Sequence, residues 1–131
     1  MVNVLLVEDN RGDVLLLQEA LAYAKLNYHL TVAADGEEAM TQIKKEGGYS
    51  LILLDLNLPR KPGREVLAEL QAQPELLSSI PLVILTSSEA DRDLMLSYPA
   101  LVREYLIKPI TFAGYIEVVN KIDEIRKSSA A

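Results

Sequence analysis

Four polar positions follow short apolar runs directly, and their side chains are suited to handling a phosphoryl group. The runs end at the acidic pair Glu8-Asp9, at Asp55, at Thr86 and at Lys108-Pro109. Carboxylates are the ligands that a hard cation such as Mg²⁺ prefers. A cation, an ammonium and a hydroxyl can together neutralise a phosphoryl group during its transfer. If the fold brings these positions together, the chemistry predicted is metal-assisted phosphoryl transfer.

The apolar runs indicate a fold that would bring these positions together. Continuous runs over 4–7, 51–54, 82–85 and 105–107 are typical of buried parallel strands. A more polar strand over 28–32 suits a sheet edge. Five strand–helix units predict an α/β protein with a flavodoxin-like doubly wound parallel sheet, strand order 2-1-3-4-5 and helices on both faces. The carboxyl ends of its strands share one edge, where ligands bind.

Capping residues and apolar spacing predict five helices. Asp13 is assigned as the cap of the first helix, Asp35 and Glu38 have capping-box spacing for the second, and the third covers 63–71. A short fourth helix over 91–97 is interrupted by Tyr98-Pro99, and Thr111 caps the last helix, which has the clearest apolar periodicity.

Size and composition exclude several classes of protein. A length of 131 residues predicts a single domain over 1–131, with no effector domain after the last helix. The chain has no cysteine, which excludes disulfides and thiolate metal sites. A net charge of −6 argues against direct DNA binding. No apolar run has the length of a membrane span, and no basic segment precedes the first run, so we expect a cytoplasmic protein.

Taken singly, each polar position has an ordinary explanation as a turn pair, a helix cap or a surface lysine. Asp55 is poorly explained as a cap, because the next helix starts only near Gly63, and a carboxylate nucleophile can form an acyl phosphate. The backbone carbonyl of Asn57 can add a metal ligand. A peptide bond preceding proline can be cis, which at Pro109 would fix the direction of Lys108.

All four positions together resemble the receiver domain of two-component response regulators of the chemotaxis type. The match runs through Glu8-Asp9, Asp55 with Leu58-Pro59 and Gly63, Thr86, Tyr105 and Lys108-Pro109. The resemblance implies that Asp55 accepts a phosphoryl group from a sensor histidine kinase. Mg²⁺ would bind to Glu8, Asp9, Asp55 and Asn57. Lys108 and Thr86 would bind the transferred oxygens, and Thr86 and Tyr105 would form the switch.

A narrower resemblance is to the stand-alone regulators paired with cyanobacterial phytochrome kinases. It rests on Glu8-Asp9-Asn10 with Asp13, on the run 55–67, on the long loop 74–81 and on Leu85-Thr-Ser-Ser. Members of that group often carry an aromatic pair near the end of the last helix. Residues 122–126 of this chain contain no aromatic residue, so a dimer that uses such a pair is not predicted.

Two alternatives and the route of output stay open at this point. A Mg²⁺-dependent phosphatase of the haloacid-dehalogenase type also uses an Asp nucleophile. Such enzymes have a second acidic residue two positions after the nucleophile, where this chain has Asn57. The other alternative is an unphosphorylated interaction module. Output is expected through the fourth helix, the fifth strand and the last helix, to a second copy or a separate effector.

Overall fold

The computed structural model describes residues 2–45, 48–77, 80–87 and 101–129. They contain a five-stranded parallel sheet in the order β2-β1-β3-β4-β5, which confirms the predicted fold. The strands are β1 (Val2–Val7), β2 (Tyr28–Ala33), β3 (Leu51–Leu54), β4 (Leu82–Thr86) and β5 (Glu104–Ile107). The helices are α1 (Arg11–Tyr23), α2 (Gly36–Lys45), α3 (Gly63–Ala72) and the C-terminal helix (Phe112–Ser129), with a 3₁₀ turn at Pro74–Leu76.

The central strands are buried on both faces, as their uninterrupted apolar runs require. Alternate side chains of each strand point to opposite faces of the sheet. The strands β1, β3 and β4 therefore contribute side chains to two separate hydrophobic cores. Leu5, Ile52 and Ile84 pack with residues of α2 and α3. Leu6, Leu53 and Val83 pack with residues of α1 and the C-terminal helix. The edge strand β2 is mostly half-buried, as its polar sequence predicts.

Two of the three assigned helix caps are confirmed, and one is wrong. Asp35 accepts a hydrogen bond from the Glu38 N–H at 2.8 Å, and Thr111 accepts one from the Gly114 N–H at 3.0 Å. The first helix begins earlier than expected, and its cap is Asn10, which accepts from the Asp13 N–H at 3.0 Å. Asp13 therefore lies inside the first turn. The fourth helix predicted over 91–97 lies outside the described residues.

The loop between β3 and α3 is held close to its neighbours at two glycines. A side-chain carbon at Gly36 would overlap the carbonyl oxygen of Lys61, and one at Gly63 would overlap the backbone of Leu56. The Gly63 N–H also donates to the Leu56 carbonyl at 3.0 Å. These close approaches fix the loop that follows Asp55. Among the described residues, no helix is long and apolar enough to cross a membrane.

Candidate functional site

The polar residues predicted to meet do lie at one edge of the sheet, where β1, β3, β4 and β5 end. Backbone hydrogen bonds continue the sheet past the strand ends and fix these positions. The Glu8 N–H donates to the Ala33 carbonyl at 2.9 Å, and the Asp55 N–H donates to the Val7 carbonyl at 3.0 Å. The Lys108 N–H donates to the Thr86 carbonyl at 2.7 Å.

Lys108 lies at the centre of the site, bonded to three carboxylates. Its Nζ is 2.5 Å from Glu8 Oε1, 2.9 Å from Asp13 Oδ2 and 3.0 Å from Asp55 Oδ2. Only 10% of its side chain is exposed. Burial on its own would lower the pKa of Lys108, but the hydrogen bonds to the three carboxylates outweigh it and raise that pKa. The side chain is therefore a fixed ammonium.

Three carboxylates form a group suited to a divalent cation. Oxygen atoms of Glu8, Asp9 and Asp55 all lie within 4.8 Å of one another. Burial, together with repulsion from Asp55, raises the pKa of Glu8 from 4.5 to about 7, although Lys108 opposes the change. Negative charge is thus crowded here, and a donor set made of hard oxygens fits Mg²⁺. The Asn57 N–H donates to Asp55 Oδ1 at 3.1 Å, which places the predicted fourth ligand beside this group.

Thr86, the last residue of β4, is fully buried, and its Oγ1 has no hydrogen-bond partner within the described residues. A buried hydroxyl left without a partner costs about 1–3 kcal/mol, so such groups are rare and call for an explanation. A hydroxyl that becomes bonded only when a phosphoryl oxygen arrives is such an explanation. This unpartnered hydroxyl is a second observation, independent of the carboxylates, that fits a phosphoryl site.

The remaining two predicted residues lie nearby in or after β5. Tyr105 is half-buried, aligns with Ile84 of β4, and packs against the core under α3. The structure contains no cis peptide bond among the described residues, so the Lys108–Pro109 bond is trans. The direction of Lys108 is therefore set by its three ion pairs and not by a cis proline.

Sequence reasoning missed two residues of the site, Asp13 and Tyr115. Asp13 Oδ1 accepts a hydrogen bond from the Tyr115 hydroxyl at 3.1 Å, while Oδ2 accepts from Lys108. A signal was available, because Asp13 precedes Leu17 and Leu21 at helical spacing and is thus a carboxylate on the buried face of α1. The assignment of Asp13 as a cap concealed it.

Comparisons with known proteins agree with this geometry. A family model described as the response regulator receiver domain matches residues 4–120. The Response regulator Rcp1 of Synechocystis sp. is 40% identical over 126 residues, which cover 92% of this chain and 85% of that protein. The crystal structure of the phosphorylated cyanobacterial phytochrome response regulator RcpA has a TM-score of 0.82 and 40% identity, covering 99% of this chain and 96% of the other. The Mn²⁺-bound form of Rcp1 has a TM-score of 0.77 and 40% identity, covering 94% and 92%.

Proposed function

The chain belongs to the response regulator receiver domain family, whose members accept phosphoryl groups in signalling, and we propose that Asp55 is the acceptor here. The observation that carries the proposal is the surroundings of Asp55. Its carboxylate is buried, lies 3.0 Å from the Lys108 ammonium, and belongs to the group of carboxylates that suits a metal ion. A nucleophile, a cation site and a fixed ammonium are the parts that phosphoryl transfer requires.

The role of each residue follows from its position. Glu8, Asp9, Asp55 and the Asn57 carbonyl would hold Mg²⁺, and the ion would supply positive charge that screens the incoming phosphoryl group. A carboxylate oxygen of Asp55 attacks the phosphorus of a phosphohistidine, and a new O–P bond forms as the N–P bond breaks. Lys108 and Thr86 bind the transferred oxygens. The Thr86 hydroxyl, which has no partner among the described residues, thereby gains a hydrogen bond.

The same residues support two activities of the domain itself. Small phosphodonors would react with Asp55 without a kinase, since the metal ligands and the oxygen-binding groups all belong to this chain. Water can also attack the acyl phosphate slowly. The protein is accordingly a signalling phospho-acceptor that assists its own phosphorylation and dephosphorylation. The family match leaves the haloacid-dehalogenase phosphatase alternative without support.

The test is to incubate Asp55→Asn and wild-type protein with acetyl phosphate and Mg²⁺ and to count bound phosphoryl groups by intact mass. We expect one group on the wild type and none on the variant. Asp35→Asn is the matched control, because Asp35 is also buried and its capping hydrogen bond to the Glu38 N–H can be kept by Asn. Full incorporation on Asp55→Asn would reject the assignment.

The proposed switch couples Thr86 to Tyr105. When Thr86 bonds to the phosphoryl group and moves inward, Tyr105 fills the vacated space, and the segment between them changes with it. Hydrogen exchange with and without beryllofluoride, a phosphoryl mimic, should change most between Thr86 and Tyr105. Equal exchange in both states would exclude this route. The short fourth helix predicted over 91–97 stays a prediction.

A sensor histidine kinase is the donor that family membership implies, and we propose that this kinase is a phytochrome. The support is the likeness to Rcp1 and to RcpA, a phytochrome response regulator by its description. Phosphate transfer from a purified cyanobacterial phytochrome kinase should be faster than transfer from an unrelated kinase. Equal rates from both donors would remove this support.

Output is proposed to pass through the predicted fourth helix, β5 and the C-terminal helix, to a second copy of the chain or to a separate effector, without direct DNA binding. β5 contains Tyr105 and pairs with β4, which ends at Thr86, so a movement of either residue would be transmitted to β5. A pull-down with and without beryllofluoride tests this route. Equal binding of every partner in both states would leave phosphorylation with no differential affinity through which to act.

A further inference from the structure

Lys108 has three N–H donors, and the structure gives it three carboxylate partners, Glu8, Asp13 and Asp55. Each of these partners is within hydrogen-bonding distance, and only 10% of the Lys108 side chain is exposed. If one carboxylate is withdrawn, few water molecules can therefore replace it as a hydrogen-bond acceptor. The position of the ammonium during the reaction depends on which carboxylate remains bonded to it.

Two of the three partners also belong to the metal-binding group, and the third does not. Glu8 and Asp55 form that group with Asp9, and Asp13 is outside it. A divalent cation attracts the oxygens of Glu8 and Asp55 and repels the Lys108 ammonium, since like charges disfavour each other at short distance. Of the three carboxylates bonded to Lys108 in the part of the chain that the structure describes, Asp13 is outside this competition.

Asp13 is itself held on both oxygens. Its Oδ2 accepts from Lys108 at 2.9 Å, and its Oδ1 accepts from the Tyr115 hydroxyl at 3.1 Å. Tyr115 is 1% exposed, and burial and the Asp13 carboxylate raise the pKa of Tyr115, so its hydroxyl stays a proton donor. A carboxylate in the first turn of α1 also interacts favourably with the helix dipole. Asp13 thus joins α1, the C-terminal helix and Lys108.

We propose that Asp13, held by Tyr115, is a positioning residue that keeps the Lys108 ammonium in the cleft when Mg²⁺ engages Glu8 and Asp55. The inference rests on the proposed phospho-acceptor function and deepens it. Asp13 fixes Lys108 through one N–H, which leaves the other two N–H groups for the transferred oxygens. Tyr115 is outside the group of carboxylates that could hold the metal ion, and it would act through its hydrogen bond to Asp13.

The first measurement uses Mg²⁺-saturated protein without a phosphodonor. The proton–nitrogen NMR signal of the Lys108 ammonium, assigned by its absence in Lys108→Arg, should persist in the wild type. In Asp13→Asn its exchange with water should be roughly tenfold faster, as expected when one charge-assisted hydrogen bond is weakened. Glu19→Gln is the matched control, because it removes one exposed carboxylate from the same helix and should leave the signal unchanged.

The second measurement is the rate of phosphorylation by acetyl phosphate. We expect roughly a tenfold loss in Asp13→Asn, and a smaller loss in Tyr115→Phe that disappears in the Asp13→Asn background. If Asp13→Asn does not fold, Tyr115→Phe, which retains the buried ring, carries both measurements. A Lys108 signal and a rate equal to wild type in these variants would overturn the inference. If the wild type took up no phosphoryl group, the proposed phospho-acceptor function would be contradicted. The NMR measurement would still test the positioning role of Asp13, because it needs no phosphodonor.

Discussion

Replacing Glu8 with Gln should stabilise the metal-free protein at neutral and alkaline pH. The side chain of Glu8 is 3% exposed, and its carboxylate shares the site with those of Asp13 and Asp55 around one ammonium. Ionising Glu8 therefore adds a buried negative charge where negative charge is already in excess. Gln has the same shape and its amide oxygen can still accept from Lys108, but it adds no charge.

The magnitude follows from the pKa of Glu8, which burial raises from 4.5 to about 7. Below the unfolded pKa the carboxyl is protonated in both states, and its contribution to the free energy of unfolding is fully present. As pH rises through the folded pKa that contribution is lost. At about 1.4 kcal/mol per pKa unit, the loss is on the order of 3 kcal/mol. The stability difference between Glu8→Gln and wild type should grow by about that amount between pH 4.5 and pH 8.

The assay is urea unfolding followed by far-ultraviolet circular dichroism in EDTA at several pH values in this range, repeated with saturating Mg²⁺. Mg²⁺ should stabilise wild type more than Glu8→Gln at pH 8, because the variant has lost one ligand charge. Asp35→Asn is the control for removal of a buried carboxylate outside the site. A difference between Glu8→Gln and wild type that stays flat with pH in EDTA would refute the reasoning.

Two further substitutions test other parts of the site. Thr86→Val should raise the free energy of unfolding by about 1 kcal/mol, because it removes a buried hydroxyl that has no partner within the described residues. It should also weaken beryllofluoride binding about tenfold. Thr86→Ser should bind normally, and equal binding by the Val variant and the wild type would exclude a role for the hydroxyl. Gly36→Ala should cost about 1–3 kcal/mol in urea unfolding, because its side chain would overlap the Lys61 carbonyl. Gly12→Ala, which meets only the Asn10 side chain at 3.2 Å, should cost less, and equal costs would mean that the β3–α3 loop is not held at Gly36.

Much of the fold and part of the site follow from the sequence for a geometric reason. Parallel strands place their carboxyl ends on one edge, so recognising the apolar runs is enough to bring Glu8, Asp55, Thr86 and Lys108 together. The contact between Asp13 and Lys108 needs more, because it depends on how α1 packs against the C-terminal helix. Asn10 and Asp13 are both residue types that cap helices well, so the sequence does not identify which of them is the cap of α1. In the structure Asn10 has the extended backbone of an N-cap residue, and Asp13 lies inside the helix.

The charges and hydrogen bonds of the site residues indicate an order of binding. The Lys108 ammonium is bonded to Glu8, Asp13 and Asp55, and Asp9 lies beside two of these carboxylates. The buried Thr86 hydroxyl has no hydrogen-bond partner in the described part of the chain. A phosphoryl group alone could bond to the Thr86 hydroxyl, but it would add negative charge beside the carboxylates. A divalent cation would offset the charge of the carboxylates, after which a phosphoryl group could be accommodated. From this charge balance we expect the cation to bind before the phosphoryl group arrives.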